Sequence, residues 1–514
     1  MELNITITVE LSLAVLILLI LRDSVRRWKQ PAQLPPGPKG LPLIGNILDM
    51  PSDKDWLTFA RWGDITSVNV LGQTLIILNS AKVATEMLEK KSAIYSDRPT
   101  LQLGGELVGW KNALVFMPYG DRFRRFRRYI HQFLGNHEAM EQHLPLGEIE
   151  TRRFLKRVLY KPDELTVHVR RMAGAVILRI THGYETQENN DPLVDLADTV
   201  MEQFSEATIP GAFMVDIIPA LRYIPSWFPG AGFKKLVALW SSNLFEMAER
   251  PHALVKQQMS MGKASTSFAS TLLGTDSLTS EEEFDIKWSA LSLYAGGSDT
   301  TVSMIYSFFL AMVLYPDVLQ KAQAEIDAVI GNDRLPTFSD REDLPYVNAL
   351  VKEVHRWNVV VPTSIPHRVT QDDVHAGFFI PKGSLVIANI WKMTHDPTVY
   401  PDPERFNPDR FISSNDKAAQ PNPLEVSFGF GRRLYNLPLL CLTSGILLAD
   451  ASIFISCAMS LAVFDISKYV ENGVVVEPVH ENTTGTISHP KPFKCSIKPR
   501  SQKAISLIEA DEVK

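Results

Sequence analysis

One segment sets the scale of what this 514-residue chain can fold into. Ser280 with Glu283 reads as a capping box, an apolar pattern runs on from Phe284, and Pro316 after Tyr315 reads as the stop. The pattern predicts a helix of about 32 residues, roughly 48 Å long, enough to traverse a whole domain. In its middle lies Ala295-Gly296-Gly297-Ser298-Asp299-Thr300-Thr301. Each glycine costs about 1 kcal/mol relative to alanine inside a helix, so something there requires a bare surface or a local distortion. A flat cofactor or bound oxygen approaching the backbone is one such reason, and a close helix crossing lined by small residues is the other. Asp299 and Thr300 add a carboxylate and a hydroxyl, the parts of a proton relay to a buried ligand. That same carboxylate argues against a membrane span, where a central acid is costly.

With 45% hydrophobic residues the chain can bury a large core, and 21% charged residues with a net charge of −6 exclude a disordered or nucleic-acid-coating protein. Cys441, Cys457 and Cys495 are too few and too scattered for a disulfide framework or a zinc site, which places the body in a reducing compartment. The N-terminus is different. Residues 5–21 carry Glu10 as their only charge and are just long enough, as a helix, to cross the hydrocarbon. Arg22, Arg26, Arg27 and Lys29 follow, so the rest of the chain is expected on the cytosolic side. Prolines 31, 35, 36, 38 and 42 then make a stiff connector. Two glycosylation sequons, at Asn4 and Asn482, are not expected to matter: Asn482 faces the cytosol in this topology and Asn4 lies almost in the membrane. Short β-like runs occur at 66–71 and 74–78. The Pro-rich, aromatic stretch 217–233 reads equally as loop packing or as a second, shallow membrane contact.

Other candidates are weak one by one. Glu353 and Arg356 stand at i, i+3 on one helix face, and Arg410 of Pro408-Asp409-Arg410-Phe411 can join them, with Arg405 as the rival choice. Arginines crowd 121–128, some able to point inward to an anionic cofactor group and others to form a basic docking face. Near the C-terminus stand Phe428, Gly431 and Arg433.

Taken in order from Pro35 to Arg500, these pieces resemble the cytochrome P450 family, in its membrane-anchored fungal form. The resemblance implies a mainly α fold, a large helical lobe plus a small β-rich lobe, preceded by one transmembrane helix. The domains then read as 1–22 membrane anchor, 23–45 basic and proline-rich hinge, and 46–514 heme-thiolate monooxygenase domain. It implies b-type heme as cofactor, and as partners NADPH-cytochrome P450 reductase, O2, a lipophilic small molecule and the bilayer of the endoplasmic reticulum, with no nucleic acid. By motif position, Asp299 and Thr300 match the proton-delivery acid and alcohol. Arg127, His367 and Arg433 match positions that bind the heme propionates, Phe428 and Gly431 belong to the loop beneath the heme, and Glu353, Arg356 and Arg410 match a structural triad. Phe123 stands where the family usually has tryptophan, which removes an N–H donor and keeps the aromatic packing.

The family's iron ligand is a cysteine whose thiolate favours O–O cleavage. Counted forward from Arg433, its position holds Tyr435, and Leu437 replaces the following glycine. Counted backward from Gly445-Ile446-Leu447-Leu448-Ala449, it holds Thr443, eight residues later. Residues 434–444 thus read as foreign sequence between two intact halves. Cys441 can swing in as the iron ligand, since a longer loop adds only about 0.6 kcal/mol per doubling of length. Tyr435 can ligate as a phenolate, as in catalase. Or the segment reflects a mis-predicted splice junction or a decayed gene. The third reading is favoured, because a loop selected for iron binding would not scramble only its centre. Two functions are carried forward. One is a monooxygenase inserting one atom of O2 into a terpenoid, steroid or aromatic compound; apolar Val359, Val360, Val361 and Ile365 suit such substrates. The other is a heme-free remnant that at most binds hydrophobic ligands.

Overall fold

The computed structural model describes residues 31–134, 137–209, 211–275, 277–414, 418–433 and 444–510. The expected anchor, Asn4, Tyr435, Cys441 and Thr443 lie outside these. The chain forms two compact units.

The first unit comprises the described residues up to Pro99, together with Thr363–Met393 and Phe430–Arg433. Strands β1 (Ile65–Val70) and β2 (Gln73–Leu78) fall on the two β-like runs and pair as a hairpin. Leu71 and Gly72 turn it with positive φ at both positions, the geometry that matches strand twist. Strands β3 (His367–Arg368), β4 (Asp373–His375), β5 (Phe378–Ile380) and β6 (Leu385–Ala388) follow. They give a four-stranded sheet in the order β1-β2-β6-β3 and a separate β4-β5 pair. The proline connector packs on this sheet: Ser67 donates from its backbone to the Pro36 carbonyl at 3.1 Å and from Oγ to that of Pro35 at 2.6 Å. A Cβ at Gly37 would fall 1.9 Å from the Ser67 carbonyl oxygen, so only glycine fits there.

The longer helices of the second unit include α1 (Asp121–Leu134), α2 (Leu144–Tyr160), α3 (Leu165–His182), α4 (Pro192–Ala207), α5 (Phe233–Ser260), α6 (Ser280–Leu314), α7 (Pro316–Val329), α8 (Pro345–Trp357) and α9 (Ser444–Val463). Strands β7 (Phe464–Glu471), β8 (Val474–Val476) and β9 (Cys495–Pro499) complete it as a sheet in the order β8-β7-β9. Its core is formed largely by α6, α8 and α9, with Phe308, Phe309, Leu350, Val354, Phe454 and Met459 all at 0% exposure.

Helix α6 starts one residue away from the expected capping box. Thr279 is the N-cap, receiving the Glu282 N–H at 3.2 Å while Glu282 accepts the Thr279 N–H at 2.9 Å. Glu283 is drawn off by Lys256 at 2.6 Å and by His252 at 3.4 Å, both on α5. By length and composition α6 and the 445–463 stretch of α9 could each cross a membrane, yet 83% and 67% of their apolar windows are buried inside the protein. They are core helices. Before α6 lies a further short helix, Phe268–Leu273, capped reciprocally by Ser267 and Ser270.

Candidate functional site

Helix α6 presents two different glycines. A Cβ at Gly297 would meet Ile177 of α3 at 3.0 Å, so this glycine serves the helix crossing. A Cβ at Gly296 would meet nothing within 4 Å. Residues four apart share a helix face, and Thr300 donates its hydroxyl to the Gly296 carbonyl at 2.7 Å. Gly296 and Thr300 therefore define one bare, hydroxyl-bearing strip of α6.

Asp299 is buried, at 6% exposure, and is held from two sides. His489 Nε2 lies 3.1 Å from one carboxylate oxygen, and Arg170 of α3 lies 3.9 Å from the other. Arg170 also pairs with Asp198 of α4 at 3.1 Å. Burial raises the Asp198 carboxyl to about 6, with Arg170 opposing and Asp299 and Glu202 adding to the rise. This chain of alternating charges reaches Asp198, which is 29% exposed.

Glu353, Arg356 and Arg410 meet in the second unit. Arg356 grips Glu353 through Nε and Nη2, and Arg410 Nε reaches the same carboxylate at 3.3 Å. The Asn407 N–H adds a bond at 2.8 Å. Arg405, the rival by sequence, gives only its backbone carbonyl, to Arg356 and to Arg410. Phe428 lies against His355, the neighbour of Arg356, with ring centroids 5.9 Å apart.

On α1, Phe123 and Phe126 are buried and Arg127 is half-buried. The arginine cluster divides by function. Arg122 and Arg125 both clasp Asp285 of α6, which is 1% exposed, and Arg125 also pairs with Glu281. Of Arg124 and Arg125, both expected on the docking face, Arg125 also ties α1 to α6, while Arg124 and Arg128 are the exposed arginines of the cluster.

The first unit gathers cationic groups. His367 is buried and shares a 2.7 Å hydrogen bond through Nδ1 with the Tyr95 carbonyl. Arg433 Nε donates to the Ser96 carbonyl at 2.8 Å, and Arg98 donates to that of Pro366 at 2.9 Å. Burial and the neighbouring Arg433 push Arg98 well below the usual arginine range. Burial, then Arg98, does the same to His367. Arg98 escapes sequence reasoning because a lone loop arginine has no periodicity; the following Pro99, which favours extended backbone at Arg98, is its only local mark. Gly431 takes φ +75°, and a Cβ there would fall 2.1 Å from the Leu88 carbonyl oxygen, so packing alone requires glycine.

Within the first unit, Arg98, His367 and Arg433 would suit carboxylates, whose charge would relieve their mutual repulsion. Within the second unit, the Gly296 strip would offer a backbone surface to a planar group. Among the described residues no cluster of three or more His, Cys, Asp or Glu could hold a metal. Cys457 sits in the apolar core with its thiol pushed well up by burial, and burial raises Cys495 to about 12. The iron ligand expected near residues 435–443 lies outside the described residues. Asn482, the second sequon, is half-buried in a bridge to Pro490.

The cytochrome P450 family model matches residues 35–497. The chain is 53% identical over 503 residues to cytochrome P450 monooxygenase 208 of Postia placenta, covering 97% of this chain and 96% of that protein. It is 46% identical to cytochrome P450 monooxygenase claR of Ampulloclitocybe clavipes, covering 98% and 93%. With ppsD of Aspergillus oryzae, also a cytochrome P450 monooxygenase, the figures are 41%, 96% and 93%. The chain belongs to the cytochrome P450 family, whose cofactor is heme iron.

Proposed function

We propose that this protein inserts one atom of O2 into a lipophilic small molecule of terpenoid, steroid or aromatic class, at the endoplasmic reticulum membrane, with electrons from NADPH delivered by a separate reductase. The observation that carries this reading is a buried Asp299 next in sequence to Thr300, whose hydroxyl lies on the uncovered Gly296 of the same helix. Bound heme supplies the activation of O2. The chain's own residues do the rest. Arg98, His367 and Arg433 would hold the cofactor's acid groups; by motif position Arg127 has the same role. Asp299, held by His489 and Arg170, and the Thr300 hydroxyl are the acid and the alcohol of a proton path to the Gly296 face. Glu353, Arg356 and Arg410 fix α8. Arg124 and Arg128 supply the α1 part of a docking face for the reductase.

Membrane attachment is supported by the stretch 217–233. Tyr223 is 73% exposed, Trp227 79% and Phe228 48%, an aromatic cluster suited to the interfacial layer of a bilayer.

One observation favours a second reading, a product that takes up heme poorly. The sequence follows the family pattern up to Arg433 and again from Gly445, and departs from it only between the two. The absorbance of the purified, reduced protein under carbon monoxide decides. A Soret band in the thiolate position supports the monooxygenase, and its loss in Cys441→Ala identifies the ligand. A band in the histidine or phenolate position means altered ligation, and no heme absorbance means a remnant. Sequencing the transcript across residues 433–445 shows whether a Cys-x-Gly is encoded.

A further inference from the structure

The closest partner of Asp299 comes from a loop that the motif-based reading does not use. His489 sits in the 481–491 loop between β8 and β9, and its Nε2 approaches Asp299 at 3.1 Å, nearer than Arg170 at 3.9 Å. Because a carboxylate only accepts, Nε2 must carry the hydrogen. The shorter, directional contact therefore decides the rotamer of the acid.

The loop that delivers this imidazole is seated by neutral bonds on three elements. Ser303, one helical turn from Asp299 on α6, donates to the Ser488 carbonyl at 2.6 Å, and Ser488 donates its N–H to the Val360 carbonyl after α8 at 2.8 Å. Thr486 meets Thr208, just past the end of α4, at 2.7 Å, and the Ile487 N–H reaches Ser205 at 3.4 Å. Within the loop, Thr483 and His489 bond each other twice, at 2.8 and 3.0 Å. Any shift of the loop on α4 or α6 must move the ring, and with it the donor to Asp299.

We propose that His489 is a positioning residue for Asp299, aiming the carboxylate and coupling its orientation to the seating of the 481–491 loop. The inference rests on the reading of Asp299 as the proton carrier. It adds that a ligand displacing this loop also re-aims the acid.

Three variants of the full chain test it: His489→Phe, which keeps a ring without a donor, His489→Gln, which keeps a donor, and Asp299→Asn. Amide hydrogen exchange needs no turnover. Exchange at Thr483 and His489 should rise about tenfold in His489→Phe and in Asp299→Asn, and less in His489→Gln. Unchanged exchange in the first two variants overturns the contact. In the reductase-supported holoenzyme, His489→Phe should divert consumed O2 from product to peroxide by roughly three- to tenfold with KM within about twofold, and His489→Gln should recover most of the yield. A rise in KM matching the loss of rate, with the peroxide fraction unchanged, would make the loop only a wall of the binding site and overturns the proposal. If Asp299→Asn couples normally, the proton-carrier reading itself fails. If Asp299→Asn uncouples and His489→Phe does not, that reading stands and the positioning role falls.

Discussion

Glu353 receives Arg356 on both carboxylate oxygens, at 2.7 and 2.8 Å, where neither side chain reaches solvent. Removing one member of such a pair strands a buried charge. Glu353→Gln is therefore expected to destabilise the protein by about 3–5 kcal/mol, seen in denaturant unfolding of the purified chain. Arg405→Ala, at the neighbouring arginine that offers only its carbonyl, should change stability by less than about 1 kcal/mol. Equal losses in the two variants would remove the distinction between them.

His355 lies two residues from Glu353 with its Nε2 buried and without a hydrogen-bond partner among the described residues. Burial lowers its imidazole to about 4, from an ordinary value of 6.5. Between those values the unfolded chain binds the proton and the folded chain does not, so this residue makes stability fall as pH drops from 6.5 towards 4. The loss is on the order of 3 kcal/mol. His355→Leu should flatten that part of the unfolding free energy against pH. The same slope in both proteins would contradict it.

Gly296 and Gly297 should respond differently to alanine. At Gly296 nothing opposes a methyl group, so Gly296→Ala should gain up to about 1 kcal/mol in the protein without heme. The same methyl should weaken heme uptake. At Gly297 the methyl meets Ile177 at 3.0 Å, which offsets the gain. Heme titration and thermal unfolding of both variants read the two effects separately.

Trp227, with most of its surface in solvent, should report on the bilayer. Vesicles carrying brominated lipids are expected to quench its fluorescence, judged against Trp227→Phe. Trp227→Ser in a chain truncated before residue 31 should weaken vesicle binding several-fold. No quenching would return the 217–233 stretch to ordinary loop packing.

Sequence alone shows α6 and marks its glycine pair, because periodicity and a glycine pair are local signals. The capping box slips by one residue because Glu283 has a tertiary competitor in Lys256, which no local pattern carries. The choice of Arg410 over Arg405 is legible in motif spacing, and the structure seats Arg410 on Glu353. Arg98 and His489 stay hidden, since each is a single residue in a loop whose partners lie more than 180 positions away. The glycine pair is read as one feature in sequence and is two in space, because only contact with Ile177 separates them.

Gly431, wedged on the Leu88 carbonyl, and Arg433, bonded to Ser96, nail down the chain immediately upstream of the divergent segment. That end has no register slack. The eight-residue difference between the two registers therefore lies downstream of Arg433. Repair is correspondingly one-sided: excising eight residues and restoring Cys-x-Gly there leaves every upstream contact as it stands.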